Sequence, residues 1–336
     1  MEKNKVFIIA EAGCNHNGKL HLAKKLIDIA SRSRADAVKF QSFNTEELLT
    51  KNAPKAKYSK KYTKKFKTQF EMQKSLQLSY SDHLELSNYC KDKKIKFLSS
   101  SFDIQSSMML EKMRVKIFKI PSGEITNLPN LQLIGSFKAK IILSTGMSTL
   151  KEIGEAIKVL VKAGTKKQNI TLLHCTTDYP AKMSDVNLLA MIKLKDKFNV
   201  NIGYSDHTLG SEISLAAVAL GASVIEKHIT ISKKMRGPDH HASIEEKEFA
   251  EMVKSIRNLE IALGNDKKKP SRGEIKNIIT VRKSIKARHY IKRGEKFSTH
   301  NLLIARPCSG ISPMKWTKVI GKKAKKSFKM GEDIIL

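Results

Sequence analysis

Cysteine is scarce in this sequence. The four present (Cys14, Cys90, Cys175 and Cys308) lie far apart and never as Cys-x-x-Cys, which excludes a disulfide framework and a structural zinc site. No fixed period recurs, so collagen-like, coiled-coil and short-repeat chains are excluded. Long apolar runs are missing as well. The most apolar stretch, around Leu215–Ile225, falls well short of the ~18–20 residues a membrane-spanning helix needs. The run Val6–Ala10 is broken at once by Glu11, leaving no proper apolar segment of a secretory signal, and the expected address is the cytoplasm. General disorder is excluded by a 40% hydrophobic content arranged in regular blocks.

Arginine and aromatic side chains are also in short supply, and this decides how the charge is read. The formal net charge is +31, yet only 10 of the 63 basic residues are arginine, the fork-shaped cation that reads base edges. Aromatics make up 6% and do not interleave with the basic runs as a stacking platform for nucleic acid would. A lysine-rich solvated surface is therefore expected, with no specific nucleic-acid partner and no membrane partner. A basic nucleic-acid binder built on a decayed barrel is the remote rival. The charge is uneven: residues 265–336 hold 20 basic and 5 acidic residues.

Short β-branched or aromatic runs alternate with helical patterns up to residue 264. Strands are expected at Val6–Ala10, Ala37–Phe40, Lys96–Ser99, Ile117–Ile120, Ile141–Ser144, Thr171–Cys175, Asn201–Gly203 and Val224–His228. Helical periodicity follows each, as in Phe249, Met252, Val253, Ile256 and Leu259. Eight such units over residues 1–264 predict an α/β fold, a (β/α)₈ TIM barrel. The alternative, an open doubly wound sheet, lacks its glycine-rich fingerprint after the first strand. The lysine-rich stretch 42–69 reads as a long loop over the barrel top. Residues 265–279 read as a polar linker, and 280–336 as a small, mostly β domain.

In a barrel of this kind, chemistry gathers at the C-terminal strand ends. His207 and His228 lie one βα unit apart and hence at one level on neighbouring strands. They are either the two imidazole ligands of a divalent ion such as Mn²⁺ or a hydrogen-bonded pair. Lys39 and Lys119 sit in apolar strand segments and either meet an anion or snorkel outward. With Ser100, Ser122, Ser144 and Ser205 they make a plausible pocket for a phosphate and a carboxylate. Glu11 and Glu124 either orient hydroxyls and move protons or pair with those lysines. Asp239 either binds a sugar hydroxyl or caps the final helix.

Taken together, these blocks resemble the sialic acid synthase family. The resemblance rests on Glu11-Ala12-Gly13-Cys14-Asn15-His16-Asn17-Gly18, Val38-Lys39-Phe40-Gln41, Lys119-Ile120-Pro121-Ser122-Gly123-Glu124, Ser144-Thr145-Gly146-Met147, Ser205-Asp206-His207 and Glu226-Lys227-His228, in the family's order. Gly237-Pro238-Asp239 and Arg306-Pro307 match as well. The resemblance implies a barrel followed by an antifreeze-like (SAF, β-clip) domain, in a homodimer whose swapped C-terminal domain brings Arg306 to the partner's site. It implies phosphoenolpyruvate contacts at Lys39, Ser100, Lys119, Ser122, Ser144 and Ser205. It also implies metal ligands at His207 and His228 (Mn²⁺, with Mg²⁺ or Co²⁺ as alternatives), and sugar contacts at Glu11, Gln41, Glu124, Tyr179, Asp239 and Arg306. Glu124 is the expected proton-transfer group. The implied reaction joins phosphoenolpyruvate to N-acetylmannosamine, giving N-acetylneuraminate and phosphate. The alternative acceptor is a diacetamido hexose, as in a legionaminate- or pseudaminate-type synthase.

Overall fold

A computed structural model describes residues 5–336 of the chain. It divides into two compact units, at Gly264 and Asn265. The first is a closed barrel of eight parallel strands in sequence order: β1 (Phe7–Gly13), β2 (Ala37–Ser42), β3 (Lys96–Ser101), β4 (Ile117–Ile120), β5 (Lys140–Ser144), β6 (Ile170–Cys175), β7 (Asn201–Asp206) and β8 (Val224–His228). A major helix follows each strand, the last being Glu246–Ala262. This is the TIM barrel that the alternation predicts. β1 runs three residues further than its apolar pattern, because Glu11 stays in register with Lys39 of β2 and His228 of β8.

The two faces of each strand build two separate cores. Outward residues such as Ile8, Val38, Phe118, Leu143, Leu172, Tyr204 and Ile225 join the helices in one large apolar cluster. Inward residues Ile9, Ala37, Leu98, Ile142, Leu173 and Val224 form a second, with Phe7 and Ile117 packed against it. That cluster is the floor of the barrel. Gly203 stands at this level because a Cβ there would lie 2.4 Å from the Val224 carbonyl and 2.6 Å from Leu173.

The connection after β2 is more ordered than a loop. It contains the short helices Thr45–Leu48 and Lys57–Lys60 and runs into the helix Gln69–Leu76, where Thr68 accepts the Glu71 amide as N-cap. Phe43, Met72 and Leu76 give this segment a small core of its own, shared with Cys14.

The second unit contains the antiparallel pair β9 (Ser284–Ala287) and β10 (Leu302–Ala305), with isolated bridges at Lys286–Asp333, Ile291–Phe328 and Lys296–Lys323. Its core is Ile285, Ile291, Phe297, Leu302, Val319, Phe328 and neighbours. The stretch read as a linker is partly helical. Helix Arg272–Val281 starts at a capping box in which Ser271 and Glu274 satisfy each other's backbone amides. The polar composition concealed that start signal.

Candidate active site

Two residues beyond the apolar floor, every strand turns from an apolar residue or glycine to a polar one or a thiol. The ring consists of Glu11 and Lys39 on β1 and β2, Ser100 and Lys119 on β3 and β4, Ser144 and Cys175 on β5 and β6, and Ser205 and Glu226 on β7 and β8. All eight line one cavity of about 330 Å³. Strand periodicity of two explains the arrangement, since residues i and i+2 share a face.

Four of the eight form a charge network. The Lys39 ammonium lies 2.8 Å from Glu11 Oε2 and 3.7 Å from Glu226, and donates to Ser100 Oγ at 2.8 Å. Lys119 lies 3.6 Å from the same Glu226 oxygen and donates to Ser144 Oγ at 2.7 Å. Ser205 donates to Glu226 at 3.1 Å. Both lysine side chains are buried, 2–4% exposed, so neither snorkels to solvent.

The network splits its titrations. Burial raises the Glu11 carboxyl, Lys39 opposes it and Glu226 adds to it. At Glu226 burial pulls the same way, but Lys119 and Lys39 together outweigh it and hold that carboxylate low. Burial lowers the Lys119 ammonium despite Glu226, whereas Glu11 and Glu226 overcome burial at Lys39 and raise it. Lys119 is thus the less compensated cation, and an incoming anion relieves it.

Above the ring sit Gln41, Ser122, Thr177, Tyr179, His207, His228 and Asp239, lining the same cavity. The two imidazole centroids are 5.4 Å apart in an edge-on arrangement, and the Tyr179 ring lies 4.2 Å from that of His207. His207 donates Nδ1–H to the Thr176 carbonyl at 2.7 Å, which leaves the lone pair on Nε2. Burial depresses His207 to about 4, and it takes His228 well below the ordinary histidine range. His228 Nδ1 is buried without a hydrogen-bond partner. Gly13 (φ 50°) passes close by; a Cβ on it would lie 3.5 Å from His228 Cε1.

Two neutral imidazoles, one with an orphaned ring nitrogen, fit a divalent ion as a pair. Among the described residues no group of three or more His, Cys, Asp or Glu is placed to hold a metal. Reactants and water would therefore supply the remaining ligands.

Asp239 does not cap the final helix, which Glu245 caps together with Glu248. Its Oδ2 accepts the Cys14 thiol at 3.2 Å, its Oδ1 has no partner, and burial pushes its carboxyl up to about 6. Glu124 lies on the 3₁₀ turn Ser122–Glu124, just outside the cavity lining. Its Oε2 accepts from Asn127 Nδ2 at 2.6 Å and Asn130 Nδ2 at 3.2 Å, and burial raises its carboxyl. Arg306 is exposed on the second unit. Glu226 has no role among the residues singled out from sequence, although it holds both lysines. The signal was its position two residues before His228 on one strand.

A phosphate-and-carboxylate ligand would find ammonium and hydroxyl donors here at the bottom of a barrel, and that defines a class of anion-handling barrel enzymes. The chain belongs to the NeuB family, whose model matches residues 26–268, and carries a SAF domain over residues 282–334. It is 54% identical over 328 residues to the N,N'-diacetyllegionaminic acid synthase of Campylobacter jejuni, covering 98% of each chain. The protein of that name from Legionella pneumophila is 44% identical over 331 residues, covering 98% of this chain and 93% of that one. Among solved structures, the N-acetylneuraminic acid synthetase of Leptospira borgpetersenii, crystallised with citrate, superposes with a TM-score of 0.73 at 36% identity. That match covers 82% of this chain and 90% of the other.

Proposed function

We propose that this protein condenses phosphoenolpyruvate with a 2,4-diacetamido hexose, forming a legionaminate-type acid and releasing phosphate. The observation that carries the chemistry is the ring of two ammonium and three serine hydroxyl groups above an apolar floor. The acceptor replaces N-acetylmannosamine, which the family resemblance implied, because the chain is 54% and 44% identical to two diacetyllegionaminic acid synthases and 36% identical to a neuraminic acid synthetase. The cavity wall supports the change. Phe43, Leu48, Met72, Phe102 and Met147 line it, an apolar surface suited to an additional acetyl methyl group.

In this reading Lys39, Lys119, Ser100, Ser144 and Ser205 bind the enol phosphate, with Ser122 above them. Gln41, Glu11, Tyr179 and Asp239 face the sugar. The phosphoenolpyruvate methylene carbon attacks the aldehyde carbon of the open-chain sugar. Water then adds at the former enol carbon, and the tetrahedral adduct expels phosphate by C–O cleavage. Holding the reactants in that geometry supplies much of the rate. A divalent ion held by His207 and His228, Mn²⁺ first with Mg²⁺ or Co²⁺ as alternatives, would polarise the aldehyde oxygen. Glu124, its carboxyl raised by burial, exchanges a proton with the sugar or the water. The chain works as a homodimer with swapped C-terminal domains, Arg306 serving the partner's site.

Phosphate release from phosphoenolpyruvate, measured with each sugar with and without chelator, tests the proposal. The diacetamido sugar is expected to give a kcat/KM at least tenfold above that of N-acetylmannosamine. Equal or reversed values overturn the acceptor, and no release with either sugar in the presence of metal overturns the chemistry.

A further inference from the structure

A second cavity, of about 790 Å³, lies against the first; Met72 and Pro238 line both. Three separate segments bring cations to it: Lys19 after β1, Lys61, Lys64 and Lys65 from the connection after β2, and Lys233, Lys234 and Arg236 after β8. No aspartate or glutamate lines it. Lys233 is neutralised by Glu248 at 2.6 Å, but the other six make no ion pair among the described residues. Tyr62 and Phe66 supply aromatic wall, Tyr62 being fixed by stacking on His241 at 3.8 Å.

Like charges brought together around a concavity repel one another and concentrate anions. A scattered lysine surface needs no occupant. Six cations without a carboxylate partner, two of them (Lys61 and Lys65) held over the Tyr62 and Phe66 rings, meet around one half-open concavity from three segments distant in sequence, and they call for a ligand with several negative charges. The volume suits a small molecule rather than a polymer. We infer that this cavity is a second anion site, distinct from the barrel mouth, that binds a chain of linked phosphoryl groups, either free or carried by a nucleoside. The inference does not depend on the identity of the sugar acceptor.

The test is calorimetric titration of the full chain with inorganic tripolyphosphate and, separately, with adenosine triphosphate, in chelator at 150 mM salt. One tripolyphosphate per chain is expected, with affinity at least tenfold weaker in the triple variant Lys64→Ser/Lys234→Ser/Arg236→Ser and phosphoenolpyruvate affinity within twofold of the parent. All three substitutions are at exposed positions. Equal affinity for the two probes supports recognition of the phosphate chain alone. Tighter nucleotide binding supports stacking on Tyr62 or Phe66. The site is refuted by no binding at 1 mM, by displacement of tripolyphosphate one-for-one by phosphoenolpyruvate, or by an equal loss in the control variant Lys151→Ser/Lys158→Ser/Lys162→Ser on the opposite, helical surface.

Discussion

Neighbouring residues of β8, Glu226 and Lys227, enter two buried ion-pair arrangements on opposite faces of the strand, and these are built differently. On the outward face, Asp206 and Lys227 are 2.9 Å apart. Asp206 Oδ1 also accepts the Thr208 amide and hydroxyl at 2.9 and 2.7 Å, Oδ2 accepts Ser214 at 2.7 Å, and Lys227 donates to the Thr208 carbonyl at 2.6 Å. On the inward face, Glu226 is shared by two lysines at 3.6 and 3.7 Å, and its Oε2 has no hydrogen-bond partner. Buried polar groups are normally satisfied, and a buried charge is tolerated only with partners. The saturated pair therefore holds β7 to β8, while the unsaturated one, under the proposed function, is completed by the anionic reactant. Burial alone does not distinguish the two, because all five residues (Asp206, Lys227, Glu226, Lys39 and Lys119) are nearly inaccessible.

The sharpest way to break this comparison is Lys119→Met. It should lower kcat/KM for phosphoenolpyruvate by about 10³-fold, the scale of losing one donor aimed at an anionic centre, while moving the unfolding midpoint little. Unaltered kinetics would remove Lys119 from the site. Lys227→Met should do the reverse, costing about 3–5 kcal/mol of stability in urea titration because it strands Asp206, with kcat/KM of the folded fraction within a few-fold. If both variants destabilise equally, the division between holding and binding charges fails.

Glu124→Gln should lower kcat by about 10²-fold and leave the phosphoenolpyruvate KM within twofold, since glutamine still accepts from Asn127 and Asn130 but cannot carry a proton. Asp239 offers the smallest effect, and one that depends on pH. Its carboxyl titrates near 6 when folded and near 3.8 when unfolded. Its contribution is therefore full below pH 3.8 and lost as pH rises through 6. Relative to Asp239→Asn, the parent should lose up to about 3 kcal/mol between pH 3.5 and 7. Parallel stability curves would show that Asp239 is better solvated or partnered than its orphaned Oδ1 indicates.

Much of this was legible in advance. The alternation of apolar runs and helical stripes sets the barrel, and the polar residue closing each run marks the mouth: Lys39 after Val38, Lys119 after Phe118, Ser144 after Leu143. The paired histidines fall at one level because their spacing is one βα unit. Other features depend on contacts between distant segments. Whether Glu11 pairs with Lys39 or faces a hydroxyl depends on the register between β1 and β2, and the structure pairs them. That Glu124 rests on Asn127 and Asn130 depends on how a turn closes onto the next helix. The helix Gln69–Leu76 was hidden because lysines crowd the approach to it, and its Thr68 cap is a single residue among them.

The apolar plug formed by Ile9, Leu98, Ile142, Leu173 and Val224 makes the barrel a well with one opening. Anything held at the depth of Lys39 and Lys119 has to descend past the histidines before a second reactant arrives above it. Under the proposed reaction, traffic is last in, first out: the sugar enters second, the nine-carbon acid leaves first, and phosphate stays at the bottom until the way up is clear.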